Sequence, residues 1–231
     1  VTVRYLWIFN APASDLCGPL DLSGCKFLQE VYVQNNALTQ VNVSDSAIWE
    51  LDCSGNRLTE LNVSGCGYLM NLVCGNNQLT ALELADCRRL ATVDCSGNQL
   101  TALNLSATNA LMTLNCENNR LSTLTFNSTG YPIHVDCSGN QLTELNTDTM
   151  QFTRYLDCSD NQLTRLNVRN CSVVETFSCQ GNKLERLDLT SDGKYHALSL
   201  NAIGEGYVGY AMEQKEDGAT TYTVVATPVE G

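Results

Sequence analysis

The sequence predicts a solenoid of short parallel β-strands, each coil stacked on the one before it. Three observations carry that prediction. The first is an interval of 21 residues. Leu51, Leu72, Val93, Leu114, Val135, Leu156 and Phe177 fill one column, and Cys53, Cys74, Cys95, Cys116, Cys137, Cys158 and Cys179 fill the next. Asn56, Asn77, Asn98, Asn119, Asn140, Asn161 and Asn182 fill a third without exception. An interval held that strictly means one structural unit stacked on copies of itself. The second is that each unit holds two apolar pairs of period two, Leu51 with Cys53 and Leu61 with Val63 in one copy. That period belongs to strands with alternate side chains inward. The third is the residue before each asparagine. It is Gly55, Asn76, Gly97, Asn118, Gly139, Asp160 or Gly181, the residue types that tolerate positive φ. Each coil is therefore expected to turn sharply there in the left-handed region. The asparagine that follows offers donors and an acceptor to turn backbone that lacks strand partners. Stacked, these side chains predict an asparagine ladder.

Taken in order, residues 1–19 precede clear periodicity. Val1 to Phe9 is β-prone and Asn10 to Asp15 interrupts it, which suits an N-terminal cap over the first coil. Residues 20–201 form the solenoid. Leu20, Leu22, Cys25 and Leu28 match the second half of a degenerate repeat. The next coil runs through Val31, Val33, Asn36, Leu38, Val41, Val43 and Ile48 and is one residue short before Leu51. Trp49 is expected to plug the space that this deletion leaves. Leu198 and Leu200 supply a last strand, and Ile203 stands where a ladder asparagine would be. In residues 202–231, Tyr207–Met212 and Thr221–Thr227 are strand-like runs around Lys215-Glu216-Asp217-Gly218, a hairpin pattern. That tail either caps the last coil or begins a further module.

The run Leu-x-Cys-x-x-Asn-x-Leu-Thr-x-Leu-x-Val-Ser resembles the leucine-rich repeats of bacterial, internalin-like surface proteins. In detail it is similar to their 21-residue nested subclass, across about residues 20–201. The resemblance implies a leucine-rich-repeat solenoid: a right-handed coil with a parallel β-sheet, short strands, turns and little helix. It also implies an extracellular or bacterial cell-surface location and adhesion or ligand capture through the concave face. It implies no enzymatic activity and no cofactor, and it transfers no binding residues. The order Gly-x-Val-Gly, then Gly-x-x-x-Tyr-Thr-Val-x-Ala-Thr-Pro-x-x-Gly, resembles the opening of the small β-repeat modules that follow such arrays.

Charge and composition narrow the function classes. A formal net charge of −12 argues against nucleic acid, whose phosphates demand a basic face. No run of about 18 apolar residues exists to insert into a bilayer. The N-terminus lacks the pattern of a signal peptide and begins with Val rather than Met, which suits a processed or trimmed product. A monomer is expected. The twelve cysteines fall in two columns of the repeat period, with Cys66, Cys87 and Cys171 in the second and Cys25 in its place earlier. Strands about 4.8 Å apart in flat parallel pairing do not readily meet disulfide geometry. A one-per-coil ladder also does not converge on a metal. Buried free thiols are the expectation, and Cys17 with Cys25 is the one pair positioned for a bridge.

The binding face is expected beside the first strand of each coil, where outward positions alternate with the core. Asp52, Asp94, Asp136 and Asp157 make an interrupted acidic stripe there, with Asn115 in the same column. The stripe is either repeat chemistry, since Asp-Cys-Ser-Gly-Asn recurs as a unit, or a face for a cation or basic partner. Tyr32, His134 and Tyr155 are the outward aromatic candidates, residue types that mark binding faces better than acids do. Arg154, Arg165, Arg169 and Arg186 form a secondary basic patch, either a solvated face or a site for a carboxylate or sulfate. Two histidines, His134 and His196, assemble no metal cluster and no nucleophile–base pair, so no catalytic or metal residue is assigned. Asn-x-Ser/Thr triplets such as Asn62-Val63-Ser64 fall out of the repeat consensus. The partner is accordingly a protein or glycan, and the competing expectation is a spacer or display stalk with no ligand of its own.

Overall fold

The computed structural model describes residues 3–11, 16–168, 170–171 and 173–184, and the backbone of 186–188, 197–199, 211–214 and 220–225. Among these, every regular element is a strand, and the strands wind into about eight stacked coils. One side of the coil is a ten-stranded parallel sheet. Its strands are Tyr5–Trp7, Glu30–Tyr32, Glu50–Asp52, Asn71–Val73, Thr92–Asp94, Thr113–Asn115, His134–Asp136, Tyr155–Asp157, Thr176–Ser178 and Ala197–Ser199. From Glu30 to Tyr155, each strand buries its central residue and turns the two flanking ones partly to solvent. The period-two reading of the sequence becomes this in–out alternation.

The opposite side is less regular. Cys17–Asp21, Ala37–Asn42 and Glu60–Asn62 form a three-stranded sheet, and Ala102–Leu105 pairs with Thr123–Phe126. Arg165–Asn167 pairs with Arg186–Asp188, to which Thr220–Val225 adds antiparallel, with Ala211–Gln214 antiparallel on its far side. These two C-terminal strands thus attach through backbone pairing to the Arg186–Asp188 strand. Where the pairing breaks after Phe126, a cleft of about 600 Å³ opens between the Thr123–Phe126 strand and residues 144–149.

The interior is a continuous column of Leu, Val and Cys. Leu51, Leu72, Val93, Leu114, Val135 and Leu156 are fully buried, as are Leu58, Leu79, Leu100, Leu121, Leu142 and Leu163. At each turn the backbone enters the left-handed region as expected, with φ of 63° at Gly55, 55° at Asn76, 60° at Gly97 and 54° at Asn118. Gly139, Asp160 and Gly181 follow at 62°, 51° and 65°.

The ladder asparagines tie the coils together. The Asn98 side-chain oxygen accepts from the Leu79 N–H of the preceding coil at 2.9 Å. Its Nδ2 donates to the Cys74 carbonyl of that coil and to the Cys95 carbonyl of its own, each at 3.0 Å. The same triad of bonds recurs at Asn56, Asn77, Asn119, Asn140, Asn161 and Asn182. An interior backbone group without a partner costs about 1–3 kcal/mol, so the column has no neutral replacement.

Ten of the twelve cysteines are buried, all twelve are unbridged, Cys17 is exposed and Cys25 half-buried. Burial pushes the Cys95 thiol up to about 12. Such a group is an apolar filler rather than a nucleophile.

Two features differ from expectation. Trp49 does not plug the short coil. It stands 37% exposed, and its neighbour Ile48 points into the core instead. The register moves from a 20-residue step (Val31 to Leu51) to a 21-residue step (Leu51 to Leu72). The missing residue lies between Ser46 and Ile48, two positions apart where Cys66 and Leu69 are three, and Ser46 and Ile48 are both buried. The segment expected to cover the first coil also builds a strand of its own. Tyr5–Trp7 joins the sheet, and Asn36 donates to the Ile8 carbonyl at 2.8 Å while accepting from the Ala11 N–H at 2.9 Å.

Candidate functional site

Strand register lays the outward residues of the ten-stranded sheet in two rows. One runs Tyr5, Glu30, Glu50, Asn71, Thr92, Thr113, His134, Tyr155, Thr176. The other runs Trp7, Tyr32, Asp52, Val73, Asp94, Asn115, Asp136, Asp157, Ser178. Every candidate named on this face therefore lies in one of two adjacent lines. The partner residues sit about 4.8 Å apart between coils.

The aspartates have two roles at once. Asp52 Oδ1 accepts from the Ser54 N–H at 3.0 Å and from its hydroxyl at 2.6 Å. Asp94 with Ser96, Asp136 with Ser138 and Asp157 with Ser159 repeat this Asx turn. Asn115 performs the same bond to the Glu117 N–H at 3.1 Å, and Asn62 does so with Ser64 on the other side of the coil. The turn thus needs a side-chain oxygen and not a charge. The charge is surplus to the fold.

Electrostatics reflect that surplus. Desolvation and the neighbouring Asp136, Asp94 and Asp157 push the Glu117 carboxyl above its ordinary value. Tyr155 is raised by desolvation and then by Asp136, Asp157 and Glu117, and Tyr32 by desolvation and then by Glu50, Glu30 and Asp52. All three shifts share one sign because burial, the largest cause of each, disfavours the charged form of an acid, and the neighbouring carboxylates add to it.

Aromatic rings gather at two places on this face. His134 and Tyr155, each singled out from sequence, are cross-strand partners with rings stacked at 4.1 Å and 1° between planes. At the first coils, Trp7 meets Tyr32 edge-on at 6.1 Å, and Tyr5 lies 6.3 Å from Trp7. Trp7 is 62% exposed. Sequence reasoning missed Tyr5 and Trp7, whose alternation about Leu6 was the available signal. They sat outside the repeat interval, 25 residues before their partners.

Arg154 and Arg165 stand on different sides of the coil. Arg154 precedes a main-sheet strand and pairs with Glu175 at 3.2 Å, both side chains largely exposed. Arg165 and Arg186 are backbone partners on the other side of the coil. Arg169 and His196 lie outside the described residues. Among the described residues no group of three His, Cys, Asp or Glu is placed to hold a metal ion. No helix among them is long and apolar enough to cross a membrane.

No protein-family model matches the sequence, and no curated protein matches it. Solved structures do. The chain is similar to the functional domain of InlJ from Listeria monocytogenes, described as including a cysteine ladder, with 26% identity and a TM-score of 0.59. That match covers 69% of this chain and 41% of the InlJ chain. It is also similar to the leucine-rich repeat domain of APL1B, with 22% identity, a TM-score of 0.62, and 84% of this chain against 59% of that one. This chain therefore spans between about two fifths and three fifths of the lengths of these neighbours. The cysteine column and the coil geometry have their counterparts in solved leucine-rich-repeat structures.

Proposed function

We propose that this leucine-rich-repeat solenoid is a non-catalytic module that binds a protein partner through the outward face of its ten-stranded sheet. One observation supports this most: four aspartate charges that the Asx turns do not require share one row, Asp52 and Asp94 between the two aromatic clusters and Asp136 and Asp157 beside His134 and Tyr155. A fold needing only turn chemistry has asparagine available, and this chain uses it at Asn62, Asn104 and Asn115. Similarity to a domain of a bacterial internalin supports a cell-surface or secreted setting, where such modules adhere or capture ligands. Tyr32, Asp52, Asp94, Asn115, His134, Asp136, Tyr155 and Asp157 are the contact residues in this proposal. A partner with a basic contact surface fits the carboxylates of Asp52, Asp94, Asp136 and Asp157, which stand in one row of the sheet.

The test is a screen of extracellular proteins and glycans with the wild type and a Tyr32→Ala/Tyr155→Ala variant of equal melting temperature. The expected result is a protein ligand bound by the wild type and weakened at least about tenfold by the paired substitution. A ligand indifferent to the substitution moves the site elsewhere. No ligand at all returns the chain to a spacer or display stalk, the role that the repeated Asp–Ser turns of the middle coils would suit.

A further inference from the structure

Large apolar side chains on the surface of this solenoid are not scattered. Outside residues 3–9, every exposed one among the described residues falls two or four positions before the central residue of a main-sheet strand. Trp49, Met70 and Met112 occupy the nearer column, and Phe27, Tyr68, Tyr131, Phe152 and Val173 the farther one. The position between the two columns points inward, as fully buried Ile48, Leu69 and Leu90 show.

The columns are in register from coil to coil. The Met70 N–H donates to the Trp49 carbonyl at 2.9 Å, Ala91 to Met70 at 2.8 Å, Met112 to Ala91 at 2.8 Å and Ile133 to Met112 at 2.8 Å. In the farther column Tyr131 and Phe152 contact edge-on at 5.2 Å. A strip of this kind, in backbone register down its length, marks an interaction surface rather than the single exposed apolar residues of any protein.

The cations that interrupt the strip are engaged within the chain. Arg89 lies over the Tyr68 ring at 5.1 Å, and Arg154 pairs with Glu175. The strip borders the sheet row that carries Glu30 and Glu50, beyond which lies the row of Asp52, Asp94, Asp136 and Asp157. A second copy of a chain with net charge −12 would bring like charges together along this border. An apolar segment flanked by lysine or arginine covers the strip and neutralises the border together.

From this juxtaposition we infer that the strip from Trp49 to Phe152 is the second half of the binding surface, and that it takes an amphipathic segment with a basic polar side. The inference rests on the sheet face being a protein-binding surface and names the chemistry of the partner. Apolar anchors on the strip supply affinity, and the acidic rows supply orientation and association rate.

The probes are three synthetic peptides of equal length: an amphipathic Leu/Lys peptide, its Leu/Glu counterpart and oligolysine. A Trp7→Phe background leaves Trp49 as the sole tryptophan reporter of the strip. The Leu/Lys peptide is expected to shift Trp49 emission to the blue and to bind at least about tenfold tighter than either control. The variant Met112→Ser/Tyr131→Ser/Phe152→Ser changes only exposed side chains. Its melting temperature should match the wild type, it should lose most of the Leu/Lys preference, and it should bind oligolysine unchanged. Equal Leu/Lys binding by this variant overturns the inference and leaves the sheet-face proposal standing. Loss of oligolysine binding on replacing Asp52, Asp94, Asp136 and Asp157 by Asn supports the acidic border, and retention of it undermines the sheet face itself. Dimerisation of the wild type that this triple variant abolishes assigns the strip to a second copy and overturns the inference.

Discussion

The side-chain oxygen of Asn118 stands 2.6 Å from where a β-carbon on Gly139 would lie. The same relation holds between Asn35 and Gly55, Asn76 and Gly97, and Asp160 and Gly181, at 2.3, 2.7 and 2.1 Å. All eight residues have positive φ, so backbone geometry alone would accept asparagine throughout. Space does not. A side chain projecting from one coil leaves the next coil only glycine, and the glycine then leaves room for a side chain two coils on. The column alternates for that reason.

Gly139→Asn should therefore destabilise the protein by about 1–2 kcal/mol although asparagine tolerates the conformation, because Asn118 must move. Adding Asn118→Gly should recover part of the loss, and Asp160→Gly, which clears the coil that the new side chain projects onto, most of the rest. A double-mutant cycle by denaturant unfolding measures this coupling, and additive effects would contradict the packing explanation.

The ladder predicts a difference between its middle and its end. Asn98→Ala leaves the Leu79 N–H without a partner inside the stack and takes one of two side-chain donors from the Cys74 and Cys95 carbonyls, which keep Asn77 and Asn119. It should cost about 2–3 kcal/mol of global stability. Asn36→Ala instead releases Ile8 and Ala11 at the first coil. It should raise amide exchange over residues 5–11 while global stability falls by less than half as much, as repeat stacks open from their ends.

The thiols predict a pH response with a defined sign. Burial lifts Cys95 from an ordinary 9.0 to about 12 in the folded chain, and Cys87, Cys171 and Cys179 likewise. Between these values the unfolded chain loses protons that the folded chain keeps, so stability is full below pH 9 and falls as pH rises towards 12. Each such thiol contributes a slope of about 1.4 kcal/mol per pH unit within that window. Chemical denaturation from pH 8 to 11 checks the slope in a Cys95→Ala comparison. At pH 8, alkylation should reach Cys17 first and Cys25 more slowly, leaving ten thiols to react only on unfolding.

Much of this architecture was legible because each repeated column has one physical job. The Leu51 column fills the core, the Asn56 column satisfies turn backbone, and the residue before it turns the chain. What escaped needed relations between coils or at the edge of the periodicity. The Gly–Asn alternation is visible as letters but meaningful only once Asn118 lies over Gly139. Tyr5 and Trp7 were hidden by a 25-residue step and by Ala11 at the place of a ladder asparagine. Trp49 looked like filler because a deletion suggests a hole, whereas the chain drops its residue between Ser46 and Ile48 and still buries both. His134 and Tyr155 were each legible as outward residues, while their stacking came from register. The apolar strip could be recognised only after exposure separated Tyr131 and Phe152 from the core leucines.

The central claim is that the aspartate charges serve binding and not folding. The measurement is the affinity and melting temperature of Asp52→Asn/Asp94→Asn/Asp136→Asn/Asp157→Asn against wild type, with a protein ligand from the extracellular screen. Asparagine keeps every Asx turn, so the account predicts an unchanged or slightly higher melting temperature, with binding weakened at least about tenfold and its salt dependence lost. Unchanged affinity together with a lower melting temperature would contradict it and return the stripe to the fold.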